Sequence, residues 1–179
     1  MVYVFLADGF EEIEALAPVD IMRRAGLTVK TVGVSGAVVT GSHGIPVTAD
    51  MTAGEVVMAD AQAVVLPGGM PGTHNLEASP AVQAALDYAA AHDCVIAAIC
   101  AAPSILGHRE LLRGRRATCF PGFEKDLYGA TATGEPVVTD GRFVTARGAG
   151  VAVEFGLRLV RELCSPQQEQ ALREGMQCR

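Results

Sequence analysis

The chain has 179 residues, half of them hydrophobic, with 20 glycines and a formal net charge of −6. That length suits one domain, residues 1–179, with a good core, and the composition excludes a disordered chain. No apolar run approaches a membrane span, and no basic patch with interleaved aromatics points to nucleic acid, so neither a membrane nor a nucleic acid is expected as partner.

Val2 to Ala7 reads as a first strand; it lacks the basic flank and long apolar stretch of a leader. Glu11 to Ala25 carries apolar residues at helical spacing (Ile13, Leu16, Ala17, Ile21, Met22), with Pro18 expected to kink the helix and Gly26 to stop it. Leu27 to Val34 is a second strand, and residues 36–50 form a small hairpin or side ribbon. Ala63 to Leu66 is a short apolar strand, followed at once by Pro67-Gly68-Gly69-Met70-Pro71-Gly72. Ser79-Pro80 opens a helix to about His92, with a cap residue and a proline at the first turn. The apolar run from Val95 ends on Cys100, and Pro103 then opens a helix to about Leu112. Arg116 to Cys119 reads as a strand, Pro136 to Ala146 as a hairpin turning at Asp140-Gly141, and Gly150 to Leu163 and Gln167 to Met176 as helices. The basic run Arg109 to Arg116 reads as a solvated helix end. Apolar strands alternating with helices imply an α/β fold: a mainly parallel sheet covered on both faces, with a small antiparallel addition.

Five cysteines and four scattered histidines show no zinc-site spacing, so no metal or cofactor is expected, and a reduced, cytoplasmic protein is. Cys94 reads as structural, Cys164 and Cys178 as bystanders, and Cys119 as a core residue or a second oxidisable thiol beside a pocket. His74 follows the glycine loop and either orients a substrate or faces solvent.

Ligands of such sheets bind outside the carboxyl ends of the strands. Three loops there carry chemistry: Asp8 to Glu14, Pro67 to Gly72, and Cys100 to Pro103. Cys100 sits at a strand-to-helix bend, where a helix dipole favours thiolate; the alternative is a small buried hydrophobe. The amides of Gly69 and Ala101 can form an oxyanion hole, although Gly-Gly also serves a plain tight turn. Glu11 and Glu12 suit the first turn of a helix as solvated charges. Glu14 has a different helical phase; turned toward a thiolate it would hold a proton and shuttle it.

The strings Ala7-Asp8-Gly9-Phe10-Glu11-Glu12-Ile13-Glu14, Pro18-Val19-Asp20-Ile21-Met22-Arg23-Arg24-Ala25-Gly26, Leu66-Pro67-Gly68-Gly69, Ala97-Ala98-Ile99-Cys100-Ala101-Ala102-Pro103 and Thr145-Ala146-Arg147-Gly148-Ala149-Gly150 resemble the ThiJ/PfpI superfamily, in particular its DJ-one branch. The resemblance runs from Val2 to about Leu163. It implies a flavodoxin-like three-layer sandwich, a homodimer, a reactive cysteine at Cys100, a protonated glutamate at Glu14 bonded to it, and amides at Gly69 and Ala101 facing one pocket, with Gly68, Phe120 and His74 as further pocket candidates. The sequence departs from the family's patterns at three places. Ala101 stands where the protease-like branch has histidine, Phe120 precedes Pro121 where the human-like branch has histidine, and His43 takes the place of an arginine that the partner subunit supplies. Arg24 keeps its family match and otherwise reads as a surface charge. The activity implied is that of a cysteine-dependent glyoxalase or deglycase acting on small dicarbonyls such as methylglyoxal. The alternatives are a redox-sensing or chaperone-like protein of negligible turnover, acting through Cys100 oxidation, and a binding protein for a small anion.

Overall fold

The computed structural model describes residues 1–178. In chain order the elements are β1 (Val2–Leu6), α1 (Glu12–Arg24), β2 (Val29–Gly33), β3 (Val38–Thr40), β4 (Pro46–Thr48), β5 (Met51–Thr52), β6 (Ala63–Leu66), α2 (Gly72–Ala78), α3 (Pro80–Ala91), β7 (Val95–Ile99), α4 (Pro103–His108), β8 (Arg116–Ala117), β9 (Thr131–Ala132), β10 (Val137–Asp140), β11 (Phe143–Ala146), α5 (Ala152–Leu163) and α6 (Pro166–Gly175). The main sheet has the order β10–β11–β7–β6–β1–β2–β5, parallel throughout except for β10 against β11.

Period-two alternation divides each central strand between two cores. Tyr3 and Phe5 of β1, Val64 and Leu66 of β6, and Ile96 and Ala98 of β7 face α2, α3 and α4. Val2, Val4 and Leu6, Ala63 and Val65, and Ala97 and Ile99 face α1 and α5. With both faces covered, the strands read as continuous apolar runs. Each large side chain sealed this way contributes roughly 1.5–3 kcal/mol. The result is the expected flavodoxin-like sandwich of three layers.

From β1 the chain steps outward to β2 and then crosses back to β6 on the other side. The carboxyl ends of β1 and β6 therefore flank the point where the strand order reverses, which is where such sheets open a crevice.

The side ribbon is β3 paired antiparallel with β4, and Ser79 caps α3 through its side-chain oxygen ahead of Pro80. α1 runs through Pro18 without a break. Other expectations are corrected. The helix after Cys100 ends at His108, not Leu112, because the backbone of Gly107 lies against that of Asp126 and the chain turns at Glu110 with φ +56. The strand expected over 116–119 is two residues long and pairs with β9 outside the main sheet. The late hairpin turns at Gly141-Arg142, one residue on, since Asp140 opposes Phe143. The basic run is not a bare helix end: Arg109 meets Asp87, Arg113 meets Glu110, Arg115 meets Asp140 and Arg116 meets Glu135.

Candidate functional site

β7 delivers Cys100 at φ +65, a left-handed conformation that costs a side-chain-bearing residue energy and needs support on both sides. The support is two backbone bonds. The Cys100 N–H donates to the Ala146 carbonyl of β11 at 2.8 Å, and the Cys100 carbonyl accepts the Phe120 N–H at 2.7 Å. The sequence marks Ala146 as the end of a hairpin and as part of a family motif; its bond to the elbow depends on the sheet register.

Glu14 reaches the same place from the other side of the crevice. It lies in the first turn of α1 and is 1% exposed. Its Oε2 accepts the Gly68 N–H at 3.0 Å. Among the described residues, its buried Oε1 has no nitrogen or oxygen partner. Burial pushes Glu14 up to about 7, against the hydrogen bonds of Cys100 and Gly68 that pull it down. A carboxyl in this position keeps its proton into the neutral range.

Gly68 is where the two arms of the site touch. A Cβ there would fall 2.6 Å from the Cys100 Cβ and 2.6 Å from Glu14 Oε2. At Gly69, φ is +90 and a Cβ would meet the backbone of Gly9 to Glu11. Both glycines are thus required by close approach, and Gly69 also by conformation. The amides of Gly69 and Ala101 are directed at the Cys100 sulfur, where both favour negative charge.

The thiol is not the freely ionised group expected from the bend. Burial, then the charge and hydrogen bond of Glu14, push Cys100 up to about 12. α4 has six residues, so the dipole behind the sulfur is small. Since an ionised Glu14 is a main opponent, sulfur carries charge most readily while Glu14 holds the proton.

Phe120 is half exposed and walls a depression of about 380 Å³ with Pro121, Arg147, Gly148 and Val151. The hydrogen bond from its N–H to the Cys100 carbonyl places this wall beside the elbow. His74 stands exposed on α2, with no hydrogen bond to Cys100 or Glu14. Cys119 is 5% exposed and packed in the core facing α2, α3 and α4; burial raises it to about 12. Arg24 pairs with Asp20 one turn earlier, as a helix-surface charge does.

Glu11 and Glu12 correct the sequence reading of a solvated first turn. Glu12 is 7% exposed and accepts the His43 N–H. Burial alone would raise it, but the bonds from the His43 ring and the backbone hold it at about 2. His43, placed by the family pattern toward a partner subunit, here binds Glu12 of its own chain.

The DJ-1/PfpI family model matches residues 1–162. Drosophila melanogaster dj-1beta is 33% identical over 176 residues, 97% of this chain and 94% of that protein. A Pyrococcus abyssi protein named as a deglycase is 34% identical over 151 residues, 83% of this chain and 90% of that one. The solved structure of oxidized Toxoplasma gondii DJ-1 superposes with a TM-score of 0.93 at 32% identity, covering 98% of this chain and 96% of that one. The chain spans less than half the length of the two Arabidopsis thaliana DJ-1 homologues that it also matches.

Proposed function

This chain belongs to the DJ-1/PfpI family, and from that premise we propose that it is a cysteine-dependent enzyme of glyoxalase or deglycase type, acting on small reactive dicarbonyls such as methylglyoxal. One observation carries the reading: Cys100 meets the buried carboxyl of Glu14 where the amides of Gly69 and Ala101 are directed at the sulfur.

The chemistry follows from those groups. The Cys100 thiol gives up its proton to solvent, and the thiolate sulfur adds to the aldehyde carbon of methylglyoxal, forming a carbon–sulfur bond. The charge passes to the aldehyde oxygen, which the two amides hold. That oxygen takes the proton of Glu14 and becomes a hemithioacetal. Glu14, now ionised, removes the hydrogen of the same carbon as a proton and returns it to the neighbouring carbon, while the hydroxyl proton passes to the neighbouring oxygen, giving a lactoyl thioester. Water hydrolyses the thioester to lactate and restores thiol and acid. Net, one water is consumed and no external oxidant or reductant takes part.

The test is lactate formation from methylglyoxal without added glutathione. Cys100→Ala is expected to abolish it with the circular dichroism spectrum unchanged, and Glu14→Ala to lower turnover by about 10²–10⁴-fold. Turnover that survives Cys100→Ala, or that stays at the uncatalysed background in the parent, overturns the proposal. We further propose a homodimer joined through α1 and the side ribbon, and a reducing, cytoplasmic setting, which five unpaired cysteines fit.

A further inference from the structure

We propose that Glu11, Glu12, Ser42 and His43 form a site for one divalent transition-metal cation of zinc type, at the junction of α1 with the turn between β3 and β4. The donors come from separate elements and converge on a common centre. Ser42 Oγ is 3.1 Å from Glu11 Oε2, 3.4 Å from Glu12 Oε2 and 3.2 Å from His43 Nδ1. His43 Nδ1 is 2.9 Å from Glu12 Oε2 and 3.6 Å from Glu11 Oε2. The Glu11, Glu12 and His43 donors all lie within 4.8 Å of one another.

Five of these separations lie within about 0.4 Å of the edges of a zinc tetrahedron, the shortest of them hydrogen bonds that the metal would open. Bonds of about 2.0–2.2 Å from a central zinc place neighbouring ligand atoms roughly 3.3–3.6 Å apart. Five of the six edges lie between 2.9 and 3.6 Å, and the sixth, from Glu11 to Glu12, is within 4.8 Å. Two carboxylates and one imidazole are nitrogen and oxygen ligands that zinc accepts, and the neutral Ser42 hydroxyl or a water completes the fourth position. With the imidazole neutral, the ligands carry two negative charges, which one divalent cation cancels. They outweigh the partial positive charge of the α1 N-terminus, about half an elementary charge.

The site is also built. The Glu12 side chain is nine-tenths buried. Its Oε1 is held by the His43 N–H at 2.9 Å, which fixes the carboxylate and leaves Oε2 toward the other donors. The turn closes over it so tightly that a Cβ on Gly41 would fall 2.2 Å from Glu12 Oε1. Residues 11, 12 and 43 have no metal-motif spacing, so only the folded ribbon brings them together.

Cobalt(II) titrated into the full-length protein tests the site, since four-coordinate cobalt gives intense visible bands that zinc then bleaches. One cobalt per chain is expected. His43→Ala, a change at an exposed side chain, is expected to weaken binding at least ~100-fold, more than loss of an outer partner would. Glu11→Gln is expected to weaken binding as well, while Cys100→Ser leaves the bands intact. No saturable bands in the parent protein, bands that persist in His43→Ala, or bands lost in Cys100→Ser each overturn the proposal, the last by placing the metal at the thiol.

Discussion

Glu14 receives one backbone amide, from Gly68, and its other oxygen is left without a nitrogen or oxygen partner. Burial raises its pKa from 4.5 to about 7. Between those values the folded protein binds more protons than the unfolded chain, so stability falls as pH rises through the window. The penalty is complete above about pH 7 and absent below pH 4.5. Glu14→Gln keeps an oxygen for the Gly68 amide and cannot ionise. It is expected to be more stable than the parent by about 3 kcal/mol at about pH 8, with the two converging in acid. Urea unfolding at both pH values measures this, and equal stability at the higher pH would show that the carboxyl carries no burial penalty. The same variant is expected to lose lactate formation, the exchange of stability for chemistry that active sites show.

At the scale of elements, the loop after β6 and the bend after β7 act as one unit joined at Gly68. A methyl group there would lie under 3 Å from the Cys100 Cβ, Glu14 Oε2 and the Ile99 carbonyl at once. The Ile99 carbonyl sits in a sheet core and cannot retreat. Gly68→Ala is therefore expected to cost about 1–3 kcal/mol and to reduce turnover with it. Gly54→Ala, with open space around it, is the matched control and should leave both unchanged; similar urea midpoints for the two variants would refute the close-packing account. The same contrast between local and distant causes explains which features are legible in the sequence. β6 and the central strands are dense apolar runs bounded by glycine and proline, and their pattern places the loops that carry Glu14, Gly68 and Cys100. α2 is not legible, because it starts at Gly72 inside a stretch of glycines and prolines that reads as turn. The early end of α4 depends on Asp126, remote in sequence from Gly107. The burial of Glu12 under the side ribbon is hidden for the same reason, as is the height of the Cys100 pKa, which comes first from desolvation and then from Glu14, remote in sequence.

For the whole molecule, α1 and the side ribbon carry exposed apolar side chains. Ile13 is 48% and Leu16 36% exposed, and they share a face of α1 one turn apart. Ile45 of the side ribbon is 53% exposed and donates its backbone N–H to Glu12, which places it at the start of α1, the end that carries Ile13. Single exposed apolar residues need no explanation, but three at the junction of α1 with the side ribbon, near Glu11, Glu12 and His43, fit an interface between subunits. A twofold axis through α1 would set this patch against its own copy, the self-complementary arrangement of most homodimers. The parent protein is expected to sediment at twice the 18.6 kDa of one chain. Ile13→Arg combined with Ile45→Arg would bring like charges together across the axis and is expected to yield a monomer with unchanged circular dichroism. A parent protein that sediments as a monomer at micromolar concentration would remove the homodimer from the proposed function, and a dimer that survives both arginines would move its interface away from α1.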